Sequence, residues 1–377
     1  MGENAAGIYV HVPFCRARCA YCDFAVVVGK DELADEWLDG VLRELERRAE
    51  EVARPVTTVH LGGGTPSRLA PHLVAELLAG IDRQVGIAAG AEIALEANPE
   101  DVTRERLTGW CSAGVTRLVV GVQSTAERGI RVLGRRAPAA EGPRALRLAR
   151  AAGSWSLGAD LVIGWAGQED RELDADLDLV LGEGVDHVSC YMLEVDGDAP
   201  LARRIRRGER PAPDPDRAAE LYWRAAERLE EAGLEAYEIS NFARPGHESR
   251  HNLRYWTDAP YLGLGPAAAS YLRGERWTNP RDLGAWLASA RGDAPAPPRE
   301  RYDPDRRAGE ALVFGLRRIA GVDLARVASR HGPDPVERRR PALARAARAG
   351  LLDLSGSAAR LTRKGRLLAD EVFVDLL

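Results

Sequence analysis

Residues 11–24 read HVPFCRARCAYCDF and place Cys15, Cys19 and Cys22 on one short stretch of a 377-residue chain that has only five cysteines. An odd, clustered set of thiols argues against a disulfide framework and toward metal binding or catalysis. A structural zinc site wants four ligands, usually as two separated pairs. No second pair exists: Cys111 and Cys190 stand alone, one in a predicted helix and the other in a predicted strand. Three thiolates on one loop would instead leave one metal corner open. A four-iron, four-sulfur cluster fits, because its fourth iron can then take an exogenous chelating ligand. The missing fourth thiol marks where a substrate or cofactor would ligate.

The elements that must position this loop can be read from hydrophobic period. GIYVHV (7–12), PVTTVHL (55–61), AEIALEA (91–97), TRLVVGV (116–122), SLGADLVI (156–163) and VDHVSCYML (185–193) read as strands. Between the first two, Leu33, Trp37, Val41 and Leu45 recur every four residues with Leu38 and Leu42 alongside, which marks a helix with one apolar face. Residues 72–83, 102–113, 138–152 and 170–182 give weaker versions of the pattern. This alternation predicts an α/β fold of repeated βαβ units with a parallel sheet that closes fully or partly into a barrel. In such sheets ligands sit at the carboxyl ends of the strands. The polar residues without repeat gather there: the cysteine loop after the first strand, GGGTP (62–66) after the second, EANPE (96–100) at the third, GVQS (121–124) at the fourth and Asp160 in the fifth. The glycines would let backbone approach a ligand with no side chain between.

Farther along, a helix at about 215–233 and a strand YEISNF (237–242) precede GDAPAPPRERYDP (292–304), whose Pro and polar residues read as a linker. Helices are predicted near 304–319, 323–331 and 335–349, then two β runs within 351–362, then a final helix from Lys364. Helices followed by a β wing resemble a winged-helix domain. The expected organisation is a core over 1–235, an extension and linker over 236–300, and a C-terminal domain over 301–377.

Composition narrows the partners. A net charge of −5 and a pI near 5.9 give no global pull toward nucleic acid or anionic lipid. Basic residues are almost all arginine, and the runs at 202–210 and 338–350 read as solvated helix faces. The N-terminal segment MGENAAGIYVHV has neither a charged start nor a long apolar stretch, so a cytosolic protein is expected.

The CxxxCxxC spacing after a first strand, with Tyr21 before the last cysteine, resembles the signature of the radical S-adenosylmethionine (SAM) enzymes. The resemblance implies a partial (β/α)6 radical-SAM barrel, with a [4Fe-4S] cluster on Cys15, Cys19 and Cys22 and SAM as its exogenous ligand. It further implies SAM contacts at Gly63, Gly64, Thr65, Glu96, Gln123, Arg135 and Asp160, with Tyr9 near the cluster. Over essentially the whole chain, IYVHVPFCRARCAYCDF, LGGGTPS, EANPE, GVQS, YEISNFARPGHESRHNLRYW and RLTRKGRLLADEVF are similar to the oxygen-independent coproporphyrinogen oxidase group, above all its HemW-type haem chaperones. The true oxidases have a further cysteine where this chain has Phe24, and a long arm before the first strand. In the HemW-type proteins HNxxYW is the haem motif, which here is His251, Asn252, Tyr255 and Trp256, with His251 implied as an axial iron ligand.

What the resemblance implies is a haem carrier with haem-acceptor proteins as partners, a possible reductant protein, no nucleic acid, and membrane contact only through acceptors. Its rival is an active radical enzyme that cleaves SAM to abstract hydrogen from a porphyrinogen or another substrate. The chain departs from the subfamily at Ala269, where GPAAAS (265–270) replaces the usual GPGAHS, and at Ala137, Thr125 and Ala166. These changes leave the cluster and SAM positions intact and fall on the porphyrin side.

Overall fold

A computed structural model describes residues 5–153, 155–195 and 197–377, so the first four residues of the N-terminal segment lie outside it. Six strand–helix repeats appear where the sequence period places them: β1 Gly7–Val12, α1 Ala34–Arg48, β2 Val56–Gly63, α2 Pro71–Val85, β3 Ile87–Ala97, α3 Arg104–Ser112, β4 Arg117–Gln123, α4 Glu141–Ala152, β5 Ser156–Ile163, α5 Asp170–Gly182, β6 His187–Met192 and α6 Pro215–Glu231. Trp37, Leu38, Val41 and Leu45 bury the apolar face of α1 against the sheet, each side chain of this size contributing about 1.5–3 kcal/mol when fully buried. Helix starts follow local chemistry: Thr103 caps α3, Asp214 caps α6, and Glu169 with Glu172 forms a capping box on α5.

Strands β1 to β6 run parallel and in sequence order. The chain then adds β7 Asn241–Ala243 antiparallel to β6, and β8 Tyr261–Leu264 parallel to β1 on the other side. Strands β9 Ala269–Leu272, β10 Glu275–Thr278 and a two-residue strand at Glu300–Arg301 continue beyond β8, so residues predicted as linker contribute to the sheet edge. The sheet curls without closing. Helix α7, Arg250–Trp256, packs on β2 and covers the amino-terminal end of the barrel. There Arg254 donates to the Thr58 hydroxyl and the Ala5 carbonyl, and Glu92 accepts from the backbone N–H groups of Arg250 and His251.

Residues 237–242, predicted as one strand, bend instead. Glu238 accepts from Ser240 N–H and the Asn241 amide, which turns the chain into a hairpin tip, and Ile239 N–H donates to the Arg317 carbonyl. The C-terminal unit has its own core around Leu312, Leu316, Val336, Leu343, Ala359 and Phe373. Helix α8 Leu283–Arg291 packs on α1 and belongs to the barrel core, whereas the helices of the C-terminal unit are α9 Pro304–Leu316, α10 Leu324–His331 and α11 Pro333–Arg348, with a small sheet of Val322–Asp323, Leu352–Ser355 and Ala358–Leu361. The predicted last helix is two short pieces, Arg363–Leu367 and Ala369–Phe373. Within the 338–350 run Arg339 is buried, paired with Asp305 at 2.8 Å and donating to the Leu376 carbonyl, so that face is not wholly solvated. Among the described residues no helix is long and apolar enough to cross a membrane.

Candidate functional site

At the carboxyl ends of the strands a cavity of about 650 Å³ opens, lined by all three clustered cysteines and by Tyr21, Gly63, Gly64, Thr65, Glu96, Gln123, Arg135 and Asp160. Thirteen residues were expected to act in function; eleven of them meet here, contributed by the ends of five strands and the loops that follow. Tyr9 and His251 do not.

The cysteine loop leaves β1 through a two-residue strand, Phe14–Cys15, that pairs with Val27–Val28. The loop between them is tied down from several sides. His11 Nε2 donates to the Ala25 carbonyl at 2.8 Å, Ala20 N–H donates to the Leu133 carbonyl, and Leu201 N–H donates to the Ala20 carbonyl. Cys15 is buried, with its Sγ 3.3 Å from the Thr65 hydroxyl, and burial pushes its thiol up to about 11. Arg135 reaches from the loop after β4, donating to Cys19 Sγ at 3.6 Å, to Asn98 Oδ1 at 2.9 Å and to the Gly121 carbonyl at 3.1 Å. A half-buried guanidinium against a cysteine sulfur compensates negative charge on the cluster side. Among the described residues no three His, Cys, Asp or Glu side chains converge on one point as a single metal ion requires. A cluster asks for something else, one thiolate per iron around a larger body, and the three cysteines around a shared cavity fit that demand.

The glycine turn after β2 is forced by close packing. Gly63 has φ +104°, and a Cβ there would run into the His11 ring. A Cβ on Gly64 would lie 2.7 Å from the Val12 carbonyl oxygen, to which Gly64 N–H donates at 2.8 Å. On the next strands the Glu96 carboxylate accepts from His60 Nε2 at 2.9 Å. Burial, with the Glu96 charge second, pushes Asp160 up to about 7. At these strand ends Glu96 and Asp160 thus stand against Arg135, which suits a ligand group that carries positive charge.

Gln123 sits at φ +66°, a left-handed backbone unusual outside glycine. The turn that holds it is pinned by buried Asp176 of α5, which accepts from Ser124 Oγ, Thr125 N–H and Thr125 Oγ1. Asp176→Ala strands these donors in a buried place, so a loss of about 2–4 kcal/mol is expected in urea unfolding, with Asp176→Asn recovering only part because an amide can turn one acceptor but also a donor toward them. A loss below about 0.5 kcal/mol would show that the turn holds itself.

Tyr9 lies one layer deeper, beneath the cavity floor. Its hydroxyl donates to His11 Nδ1 at 3.2 Å and its ring stacks on His60 with 5.9 Å between centroids. His251 is deeper still. It is fully buried, its Nδ1 is 2.9 Å from the Thr58 hydroxyl and its Nε2 is 2.9 Å from the Tyr255 hydroxyl, and burial holds its pKa well below the ordinary histidine value. The expected axial-ligand atom is therefore already hydrogen-bonded in this arrangement. Tyr255 and Trp256 instead border a separate cavity of about 180 Å³ with Tyr261, Tyr271, Arg276 and Phe314. Ala269 is exposed on β9, so a larger side chain there meets solvent and no packing strain.

Sequence reasoning missed His11 and His60, although both alternate inward along β1 and β2 with period two. It also missed Arg317 and Arg366, which join the cavity from the C-terminal unit and carry no local signal.

Comparison with known proteins agrees with this geometry. The profile of the Radical SAM superfamily matches residues 9–180, and that of the HemN C-terminal domain matches residues 302–368. The chain is 39% identical to the heme chaperone HemW of Mycobacterium tuberculosis over 98% of this chain and 94% of that one. It is 32% identical to the heme chaperone HemW of Bacillus subtilis over 97% of both. The solved structure of coproporphyrinogen III oxidase (HemN) from Escherichia coli, described as a radical SAM enzyme, superimposes with a TM-score of 0.85 at 24% identity, covering 99% of this chain and 90% of that one, which shows the shared fold. The barrel and its three-cysteine loop define a radical SAM protein, whose superfamily is built around a [4Fe-4S] cluster and SAM. Within that superfamily, the chain belongs to the HemW family.

Proposed function

We propose that this protein is an iron–sulfur, SAM-binding haem carrier that hands haem to acceptor proteins in the cytoplasm. The observation that carries the reading is the 39% identity, over nearly the whole of both chains, to a protein named a heme chaperone. Phe24, 61% exposed at the cavity mouth, supports it, because the oxidases have a cysteine at that position. In this reading Cys15, Cys19 and Cys22 hold three irons. Tyr21, Gly63, Gly64, Thr65, Glu96, Gln123, Arg135 and Asp160 surround SAM, and Tyr9 supports them from below through His11 and His60. His251 enters as an axial ligand only with α7 lifted from the barrel, since both ring nitrogens are engaged while it is docked. A reductant protein would supply electrons to the cluster.

The rival reading, a radical enzyme acting on a porphyrinogen, is favoured by the completeness of the cavity on the SAM side. One assay separates the two. With the cluster reconstituted anaerobically and SAM, dithionite and coproporphyrinogen III added, a haem carrier yields no decarboxylated product and binds haem at micromolar concentration with its cluster loaded. Decarboxylated product, or absence of haem binding by cluster-loaded protein, would overturn the proposal.

The raised value of Asp160 gives a pH test. A carboxyl held above its ordinary 3.8 stabilises the empty protein fully below that pH, and this contribution is lost as pH rises through about 7. A ligand that brings positive charge to the carboxylate reverses the preference and favours ionisation. SAM affinity is therefore expected to rise up to about tenfold between pH 6 and pH 8, with proton release at the lower pH, and Asp160→Asn should remove that rise. Calorimetry in buffers of different ionisation enthalpy measures both. An undiminished rise in the variant would mean that Asp160 does not face the ligand.

A further inference from the structure

The cavity is larger than its cluster-and-SAM end. It extends from the cysteine loop, on which Phe24 stands, toward the C-terminal unit, and Phe24, Tyr191 and Ile239 line the same opening as Leu367, Arg317 and Arg366. Leu367, Arg317 and Arg366 belong to the C-terminal unit, which supplies none of the positions assigned to SAM. The walls of this opening are unusual for a protein surface: Phe24 is 61% and Tyr191 41% exposed, two aromatic faces left to water there. Such a patch is the mark of a surface that meets an apolar partner.

The two arginines give the opening its charge. Arg317 follows the last turn of α9, lies with its guanidinium 4.6 Å over the Trp256 ring, and has a buried Nε with no hydrogen-bond partner. It forms a long ion pair with the buried Glu238 carboxylate at 3.8 Å, beyond hydrogen-bond distance, so its donors are not used up on that acid. Arg366 lies with its guanidinium 5.9 Å from the Trp223 ring, near the Tyr222 phenol, and has no ion pair among the described residues. Among the described residues many arginines hold an Asp or Glu much closer; Arg128, Arg224 and Arg339 are examples, at 2.6, 2.7 and 2.8 Å. Glu194 and Asp370 also border the opening, but both stand exposed in water, where their repulsion is screened. A guanidinium stacked on an aromatic ring with donors left over is set for a carboxylate.

We infer that this cleft is the seat for the carboxylate groups of the cargo, with Arg317 and Arg366 gripping them while Phe24 and Tyr191 cover the flat apolar body. The inference rests on the haem-carrier reading, and haem has the required form: a planar apolar macrocycle with two carboxylates on one edge. It places the cargo beside the cluster-and-SAM end of the same cavity, and it makes Arg317 a link to α7, since the side chain that would hold a carboxylate also stacks on Trp256 of the HNxxYW segment.

The test uses the cluster-loaded full chain and two probes in the same detergent: hemin, with free carboxylates, and hemin dimethyl ester, with none. The wild-type protein is expected to bind hemin at least about tenfold more tightly than the ester, read from the Soret band. Arg317→Gln and Arg366→Gln should each weaken hemin binding by about that factor and leave ester binding within about twofold, with the cluster absorption as the check on folding. Equal wild-type affinity for the two probes would overturn the inference and leave the haem carrier standing, and that comparison needs no variant. Variants that lose hemin and ester equally would also overturn it, since the arginines would then be acting through the packing of the C-terminal unit. Binding of neither probe by the wild-type protein would withdraw the carrier reading and this inference together.

Discussion

Replacing any one of Cys15, Cys19 and Cys22 by alanine is expected to abolish the visible absorption of the iron–sulfur centre after anaerobic reconstitution, with bound iron falling from about four per chain to a small residue. The expectation is all-or-none because three thiolates are already one short of a full set, and a cluster left with two protein ligands has two irons open to solvent and chelators. Cys111→Ala and Cys190→Ala are the controls. Cys111 is exposed on α3, while Cys190 is buried in β6, away from the loop, with its thiol pushed up to about 12 by burial, so it offers no thiolate at neutral pH. Cys190→Ala should cost about 1 kcal/mol in stability through a small cavity and leave iron content unchanged. Iron lost in either control, or retained in two of the three loop variants, would move the cluster elsewhere.

How far the sequence discloses this site depends on the distance over which each signal acts. The cysteine loop, the glycine turn and the strand ends are local: a thiol spacing, a run of glycines, a change of hydrophobic period. Strands β1 and β5 fall within the very residues their period marks, and Glu96, Gln123 and Asp160 meet because every parallel strand delivers its last polar residue to the same end. The signals fail where partners come from afar. Residues 237–242 have strand composition, yet the Glu238 carboxylate captures its own neighbours and the backbone of Ile239 pairs with Arg317, a residue 78 positions on, so the run becomes a tip. His251 shows the opposite failure. Its motif reads as a ligand set, but in this fold a barrel lined by Thr58, His60, Glu92 and Arg117 supplies hydrogen-bond partners deep inside, where a polar side chain can be satisfied without any ligand. Arg317 and Arg366 belong to a unit folded around a separate core, and nothing in RLTRKGRLL distinguishes the arginine that turns toward the barrel.

The glycine turn carries the second large effect, and it separates backbone shape from side-chain chemistry. At Gly64 an added methyl would sit 2.7 Å from the Val12 carbonyl oxygen and 2.8 Å from the Pro13 carbonyl carbon, both main-chain atoms just ahead of the cysteine loop. Main chain in a parallel sheet cannot step aside as a flexible side chain does, so Gly64→Ala must either break the 2.8 Å bond from Gly64 N–H to Val12 or displace the loop. A stability loss of about 2–4 kcal/mol is expected, as for other overpacked or strained backbone sites. SAM affinity should fall far more than in a variant at an exposed glycine such as Gly182, where the backbone is helical and an added Cβ meets nothing within 4 Å. Gly63→Ala adds strain of a second kind, because φ +104° lies where an L-residue is disfavoured whatever the space. If the turn only closes the strand, Gly64→Ala would lose stability and still bind SAM with unchanged affinity once folded at low temperature. If the turn shapes the ligand's seat, the folded variant with full iron content binds SAM at least about tenfold more weakly, and the geometry of bare backbone, more than any side chain of LGGGTPS, is what the ligand reads.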